Sequence, residues 1–472
     1  MAAPMRLMRF HFRTLLSKKI TTYEEENAVR MSTKTKFTAL TIPEVEEQLN
    51  SNTIKHRKHP GLRRINCVKL PERLINAAKN ILNNKGYTTK QLLVNSTDLV
   101  NTLKSRNLPV ENRYINEVAK KVELKICEKE KVDLDSVDKL DEMTRRRIKN
   151  KVLFRLKQVI PHWKSIDYDF YQCILYMVSR LAPEYAVLKQ VLTEITYDDP
   201  DFTPHTLFDF GSGVGSAMWA AHSMWGNSLK EYFCVDSSAD MNEVARLLLQ
   251  GGKEEGEMIF KGVFMRQFLP VSSTLKYDLV ISAHSFLDLP SSKERLEVVK
   301  HLWRKCNKYL VLVDHGSNAG FDALMEARDY ILYLESRSSK MAHVIAPCPH
   351  DHVCPRQLDG TETPCNFQVQ YEKLPLNKKQ MNAFETYSYV ILKKESRSEE
   401  IDPWPRIVRA ILKRHKHVVC RMCCSDGKLH EIVFTKSKHG RNLYRCARSS
   451  QWGDLFPGTI VPMSENIENI ED

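Results

Sequence analysis

From residue 203 onward, short apolar runs alternate with segments of helical spacing, and a polar turn separates each pair. The apolar runs are Thr206–Phe210, Tyr232–Val235, Tyr277–Ile281 and Tyr309–Val313. Runs of four to eight apolar residues with helices between them are typical of parallel strands whose two faces are both covered by helices. The pattern therefore predicts an α/β domain, which we place at residues 201–396.

One further apolar run, Phe384–Lys393, comes late in this domain, and we interpret it as an antiparallel strand at the edge of the same sheet. A segment of about 45 residues separates it from the preceding predicted helix, Asn318–Glu335, and such long loops are usually functional or disordered. The segment holds three cysteines, so we treat 345–370 as a cysteine-rich insertion.

The pattern differs on both sides of this domain. Residues 31–200 show mainly helical spacing, clearest in Tyr171–Ile195, and they predict a helical N-terminal region. Residues 401–457 are basic and rich in Cys and His, which predicts a small separate module. Residues 458–472 end in an acidic stretch, and we expect them to form a disordered tail.

The distribution of charge predicts a cellular compartment. The chain has 472 residues and a formal net charge of +13, and its excess of positive charge lies near the two ends. Residues 1–23 carry five Lys/Arg and no acid, with apolar residues on one side of a potential helix, which is typical of a mitochondrial presequence. A basic disordered tail is the alternative. No run of about 20 apolar residues exists, so the sequence predicts neither a membrane span nor a membrane partner.

A glycine-rich turn is the most informative motif. It reads Leu207-Phe-Asp-Phe-Gly-Ser-Gly-Val-Gly-Ser216, and its glycines would let a ligand approach the backbone at the start of a helix. An acid before the glycines suits an ammonium group, and an acid ending the next strand suits two ribose hydroxyls. The motif resembles the S-adenosylmethionine (SAM) site of class I methyltransferases, with a nicotinamide site or a ligand-free turn as alternatives. The predicted SAM-binding residues are Asp209, Gly211, Ser212, Gly213, Gly215, Asp236, Arg266, Ser282 and His284.

Residues for methyl transfer are harder to identify. The turn after the fourth strand, Ser282–Pro290, lacks the Asn/Asp-Pro-Pro-aromatic pattern of many enzymes that methylate amino groups of bases. It also lacks the cysteine nucleophile that cytosine C5 enzymes need. His284 and Asp288 could act as base or orienting group, or could cap the next helix. Whether the chain is an enzyme stays open, and we assign no catalytic residue.

The cysteines indicate a metal site. Cys348, Cys354 and Cys365 lie in the predicted insertion, and a structural site needs a fourth ligand. Cys420, Cys423 and Cys424 in the basic module are the candidates, and free thiols in a mobile loop are the alternative. Four thiolates fit either zinc or a [4Fe–4S] cluster, and either group would join the module to the α/β domain.

The module also has the features of an RNA-binding surface. Arg406–Arg448 contains twelve Lys/Arg against two acids; Tyr444 lies among these cations, and Trp452 follows the last of them. Cations neutralise phosphates, and aromatic rings stack on unpaired bases, so the composition favours single-stranded RNA over a merely solvated surface.

Taken together, several motifs resemble the methyltransferase-like protein 17 family. They are Asp209-Phe-Gly-Ser-Gly-Val-Gly215, Val313-Asp-His-Gly-Ser317, the Cys348/Cys354/Cys365 loop and the Cys-x-x-Cys-Cys tail. The resemblance implies a class I methyltransferase (Rossmann-like) fold with a helical N-terminal region and a metal-stapled C-terminal module.

That resemblance also implies a function. It is that of a mitochondrial matrix factor needed for translation, which assembles the small ribosomal subunit, binds its rRNA and contacts ribosomal proteins and other assembly factors. It further implies a [4Fe–4S] cluster held by Cys348, Cys354, Cys365 and one thiol of 420–424, for which we choose Cys420 over Cys423. An active SAM-dependent rRNA methyltransferase is the rival function, and a zinc-stabilised RNA-binding module without SAM is the third.

Overall fold

A computed structural model describes residues 37–130, 141–160, 163–270, 275–338, 341–376, 381–398 and 403–463. The predicted presequence 1–23 and the acidic residues 464–472 lie outside these ranges. The strands are β1 Phe37–Thr41, β2 Thr206–Phe210, β3 Glu231–Val235, β4 Val263–Arg266, β5 Tyr277–Ala283, β6 Cys306–His315, β7 His343–Ala346, β8 Phe367–Glu372, β9 Asn382–Lys393, β10 Arg406–Ile407, β11 Leu412–Lys413, β12 His417–Cys423, β13 Leu429–Thr435 and β14 Gly458–Pro462. The α-helices are α1 Pro43–Asn50, α2 Glu72–Lys85, α3 Thr89–Lys104, α4 Asn112–Glu130, α5 Glu142–Val159, α6 Phe170–Asp198, α7 Ser216–Trp225, α8 Ala239–Leu249, α9 Ser292–Lys305, α10 Asn318–Ser336, α11 Pro355–Leu358 and α12 Lys436–Ser449. Among the helices of these ranges, none is both long enough and apolar enough to cross a membrane.

Several helices begin where a side chain caps the first turn. Asp169 accepts the backbone N–H of Gln172 at the start of α6, and Ser317 accepts that of Gly320 at the start of α10. Such caps satisfy amide groups that have no partner within the helix, and they fix where the helix begins.

The described chain falls into two compact units. In the smaller one, which includes residues 107–160, α4 and α5 pack through buried Cys127, Ile148 and Val152. Glu130 on α4 accepts hydrogen bonds from Arg147 and Lys151 on α5. The larger unit contains all the other elements and both predicted sites.

The centre of the larger unit is an eight-stranded sheet. Its strand order is β4-β3-β2-β5-β6-β9-β7, with β8 pairing β9 as well. The first five strands in this order are parallel, whereas β9 runs antiparallel to β6, β7 and β8. The order is that of class I methyltransferases, and the predicted fold class is confirmed.

The predicted edge position of Phe384–Lys393 is wrong. This run belongs to β9, which lies inside the sheet between β6 on one side and β7 and β8 on the other. Its residues Tyr389–Leu392 are buried without alternation, which is typical of an internal strand. The long loop before it is also partly ordered, because it contains β7, α11 and β8.

The C-terminal module extends beyond its predicted limits. Its β12–β13 hairpin and α12 enclose an apolar core that includes Ala39 from β1. β1 pairs antiparallel with β14 along its whole length, from Phe37 opposite Pro462 to Thr41 opposite Gly458. Residues 37–41 are therefore a strand rather than part of a helical region, and 458–462 are not a disordered tail, because pairing satisfies their backbone groups.

Candidate functional site: a four-thiol cavity and a glycine-rich cleft

Four cysteines from distant segments line one small cavity. They are Cys348 just after β7, Cys354 at the start of α11, Cys365 just before β8, and Cys423 at the end of β12. Pro347, Pro355, Val408 and Leu429 complete an apolar lining, together with the side chain of Arg356. The insertion and the C-terminal module thus both contribute thiols to one site.

The choice of Cys420 as fourth thiol is wrong for this cavity. Side chains alternate between the two faces of a strand, so Cys420 and Cys423 on β12 point to opposite sides. Cys420 packs with Val418, Met422 and Phe434 in the module core, and Cys423 faces the cavity. Cys424 also belongs to that core.

The electrostatics of the cavity are those of a site that would hold a cation between its thiols. Burial raises the pKa of Cys365 to about 12. Burial and the charges of Cys348 and Cys365 raise the pKa of Cys354 well above its ordinary value. The thiols therefore stay protonated unless cations bind them. Arg328, fully buried, lies near Cys348 and Cys354, and it donates hydrogen bonds to the carbonyls of His350 and His352 within the cysteine loop.

A histidine adjoins the fourth thiol. His350 Nε2 lies 3.2 Å from Cys423 Sγ. Burial, with the charge of Arg328 as the next cause, lowers the pKa of His350 to about 4, so its ring is neutral at physiological pH. A neutral imidazole can donate one hydrogen bond to a sulfur atom, or serve as a metal ligand itself.

The glycine-rich turn adopts the conformation that its sequence predicts. Gly211, Gly213 and Gly215 have φ of 71°, 50° and 87°, in the left-handed region that favours glycine. A Cβ at Gly211 would lie 2.4 Å from that of Ser285, whereas a Cβ at Gly213 would meet nothing within 4 Å. Gly213 therefore borders open space. Ser212 is buried within the turn.

Two predicted carboxylates flank this turn. Asp236 accepts hydrogen bonds from the backbone N–H groups of Gly213 at 2.8 Å and Ser238 at 2.9 Å. Asp209 is 1% exposed, and its Oδ2 has no hydrogen-bond partner among the described residues. Burial, reinforced by the charges of Asp236 and Glu184, raises the pKa of Asp209 to about 8. A cationic group placed at this oxygen would restore its ionised form.

The remaining predicted SAM-binding residues differ in their burial and in whether their side chains reach the cleft. Ser282 is buried and its hydroxyl contacts that of Ser285 at 2.7 Å. His284 lies at the end of β5, with φ of 57°. The side chain of Arg266 is exposed, and only its carbonyl reaches the cleft, where it accepts the N–H of Asp236. Arg266 therefore contributes backbone rather than charge.

Sequence reasoning missed Glu184, which reaches the glycine-rich turn from α6. Its Oε2 accepts the hydroxyl of Ser216, the first residue after the turn. Its Oε1 accepts the hydroxyl of Tyr176 and lies 3.3 Å from Arg180 Nε. An acid within the long apolar stretch of α6 was the available signal, because buried carboxylates require partners.

The basic module presents most of its cations to solvent but not its aromatic rings. Nine of the twelve Lys/Arg in 406–448 are exposed, and Arg406 is buried. Tyr444 is only 5% exposed and packs in the module core, so the predicted base stacking on it is wrong. Trp452 is partly buried against the core of the α/β domain.

Comparison with known proteins gives a consistent family. The family model described as mitochondrial small ribosomal subunit Rsm22 matches residues 170–457. Human mitochondrial ribosome assembly protein METTL17 is 43% identical over 405 residues, which are 85% of this chain and 86% of that protein. The mitochondrial Rsm22-cox11 tandem protein 2 of Schizosaccharomyces pombe is 26% identical over 348 residues, 64% of this chain and 46% of that protein.

A putative RNA methyltransferase from Pyrococcus horikoshii shares 14% identity, covering 44% of this chain and 83% of that one, with a TM-score of 0.26. The strand order described above, rather than this score, assigns the fold.

Proposed function

The chain belongs to the Rsm22 family of mitochondrial small ribosomal subunit proteins, and from this we propose that it assembles the mitochondrial small ribosomal subunit. In this proposal it acts in the mitochondrial matrix, contacts small-subunit rRNA, ribosomal proteins and other assembly factors, and is needed for mitochondrial translation. The observation that carries the proposal is the extent of the family match. It spans the α/β domain, the cysteine loop and the C-terminal module, which meet at one cavity.

Binding to rRNA is supported by the exposed cations of the module. Residues 413–416 are all exposed, and three of them are cations: Lys413, Arg414 and Lys416. Such side chains neutralise phosphates in a manner that is independent of base sequence and sensitive to salt. Because Tyr444 is buried, the proposed contact is mainly with the RNA backbone.

A [4Fe–4S] cluster is the group that we propose for the four-thiol cavity, with Cys348, Cys354, Cys365 and Cys423 as ligands. The donor set of four thiols suits both a cluster and zinc. Buried Arg328 beside Cys348 and Cys354 offsets the negative charge that four thiolates would carry with either group, and we choose the cluster because the resemblance to the methyltransferase-like protein 17 family implies it. A bound cluster would keep the insertion and the module together.

SAM is the group that we propose for the glycine-rich cleft. The unpartnered Oδ2 of Asp209 suits the ammonium group of its methionine part, and Asp236 lies where ribose hydroxyls would be held. SAM would supply an electrophilic methyl group. The same cleft favours a second candidate function, an active rRNA methyltransferase, although Ser282–Pro290 still offers no established base for orienting a target.

Rescue of cells that lack the protein tests these functions. Gly213→Arg fills the open space beside Asp236, and Cys423→Ser removes one cavity thiol. Gly86→Arg is a matched control for the first change, because Gly86 also has a positive φ (67°) and open space around its Cβ. Cys420→Ala is the control for the second.

Mature small subunits on a sucrose gradient are the readout, with the abundance of each variant measured in parallel. We expect Cys423→Ser to fail and Cys420→Ala to rescue. Failure of Gly213→Arg at normal abundance, with rescue by Gly86→Arg, would favour the methyltransferase. Full rescue by Cys423→Ser would refute the role of the cavity in assembly.

A further inference from the structure

Three side chains that can bind metals converge at the carboxyl ends of two neighbouring parallel strands. His284 directly follows β5, and Asp314 and His315 are the last two residues of β6. The backbone N–H of His284 donates to the carbonyl of Val313 at 2.8 Å, which holds the two strand ends together. One donor atom from each side chain lies within 4.8 Å of the other two.

These donors are buried and lack partners. Asp314 is 1% exposed and His315 is 6% exposed. Among the described residues, no hydrogen-bond partner is found for Oδ2 of Asp314, Nδ1 of His315 or either ring nitrogen of His284. A buried polar group without a partner costs about 1–3 kcal/mol, so four such atoms in one cluster indicate that something else satisfies them.

The surrounding charges leave Asp314 available. Arg180 is bound by Glu385 at 2.9 Å and Glu184 at 3.3 Å. Arg106 pairs with Asp288 at 2.6 Å, and Lys104 pairs with Glu385 at 3.4 Å. Each nearby cation therefore already pairs with a carboxylate, although Nη2 of Arg180 has no hydrogen-bond partner among the described residues, and Oδ2 of Asp314 has no cation.

We propose that His284, Asp314 and His315 bind one divalent transition-metal ion, for which zinc is the best match. Two imidazole nitrogens and one carboxylate oxygen are a frequent donor set for zinc with a fourth position left to water. Metal–ligand bonds of about 2.0–2.2 Å would draw the three donor atoms closer together than they are in the metal-free protein. The site is separate from the four-thiol cavity in both residues and donor chemistry.

Such an ion would hold the turn that follows β5. His284 has φ of 57°, a conformation that a residue other than glycine adopts only when its surroundings impose it. The next residue, Ser285, contacts Ser282 and packs against Gly211 of the glycine-rich turn. The ion would therefore fix one wall of the cleft.

Cobalt titration of the full-length protein, without a polyhistidine tag and under anaerobic conditions, tests the proposal. Thiolate ligands give Co²⁺ a strong near-ultraviolet charge-transfer band, whereas His and Asp ligands give only visible bands. We expect one equivalent of Co²⁺ without thiolate absorption, retained in Cys423→Ser. Zinc competition should displace it. If the wild type binds no equivalent of Co²⁺ without thiolate absorption, the proposal is overturned, whatever the variants do.

Near-isosteric variants test the ligands. Asp314→Asn and His315→Gln each remove a ligand, so each should weaken binding of this Co²⁺ equivalent by more than about tenfold, the least that loss of a ligand's own partner costs, and leave the thiolate-bound metal unchanged. His222→Gln is the matched control, because His222 is a partly buried histidine that bonds Tyr232 elsewhere in the α/β domain. Unchanged affinity in folded Asp314→Asn, checked by thermal melting, would also overturn the proposal.

Discussion

Arg406 and Glu194 form a buried two-point ion pair between the C-terminal module and the long helix α6. The guanidinium donates from Nη1 to Oε1 at 2.6 Å and from Nη2 to Oε2 at 3.0 Å. Arg406 also donates to the carbonyl of Pro347, next to Cys348, and to that of Gly453. One side chain thus connects the helix, the cysteine loop and the module without a metal.

We expect Arg406→Met to destabilise the larger unit by about 3–5 kcal/mol, because it leaves Glu194 buried without its main partner. Arg63, 3.7 Å from Glu194, would offset part of that loss. Urea unfolding measures the change in the free energy of unfolding. The double variant Arg406→Met/Glu194→Gln should regain stability relative to Arg406→Met. Equal stability of the wild type and Arg406→Met would contradict the assigned role.

Metal and sulfide analysis identifies the occupant of the four-thiol cavity. After anaerobic purification we expect about four irons and four sulfides per chain, as a [4Fe–4S] cluster requires. Cys423→Ser should lose both together with visible absorption, and Cys420→Ala should keep them, since Cys420 lies in the module core. Zinc bound to the four thiols without sulfide would refute the cluster.

Binding of SAM should release a proton from Asp209. Its pKa of about 8 in the free protein makes this carboxyl largely neutral at pH 6.5, and the ammonium group of SAM favours the charged form. Calorimetry at pH 6.5 in two buffers of different ionisation enthalpy measures the proton count. We expect nearly one proton released by the wild type and none by Asp209→Asn, which should also bind SAM more weakly. Equal proton release by both proteins would exclude Asp209.

Acid should weaken the contact that His59 makes with the C-terminal module. Burial is the main cause that lowers the pKa of His59 to about 4, and its ring contacts Ser450 Oγ at 2.9 Å. The folded-state pKa lies below the unfolded value of 6.5. The stability that neutral His59 gives the folded protein is therefore complete above pH 6.5 and is lost as pH falls towards 4. The loss amounts to about 3 kcal/mol.

Urea unfolding at several values of pH between 7 and 4 measures this effect. His59→Gln cannot titrate, so its unfolding free energy should fall less steeply than that of the wild type. Parallel pH profiles for the two proteins would show that His59 is not the group responsible.

The elements that depend on local sequence patterns were predictable from the sequence. Strand β2 has the predicted bounds, and β3, β5 and β6 include the predicted runs, because burial of a strand on both faces demands an uninterrupted apolar run. The positive φ values of Gly211, Gly213 and Gly215 likewise follow from residue type. Three of the four cavity thiols were identifiable because they cluster in one segment.

Contacts between segments that are distant in the sequence were not predictable in this way. From the sequence we chose Cys420 over Cys423, and only the register of β12 against β13, with the packing of Val418 and Met422, decided which thiol faces the cavity. The pairing of β1 with β14 has the same origin, since edge backbone groups accept any strand that reaches them.

Residue type and local spacing were therefore sufficient to predict the fold class, the glycine-rich turn and the concentration of cations near the C-terminus. Three features became visible only in the folded chain: the fourth thiol, the internal place of β9 and the meeting of His284 with Asp314 and His315. Those depend on which distant segments bury surface together, and that choice is made by packing of the whole chain rather than by any local pattern.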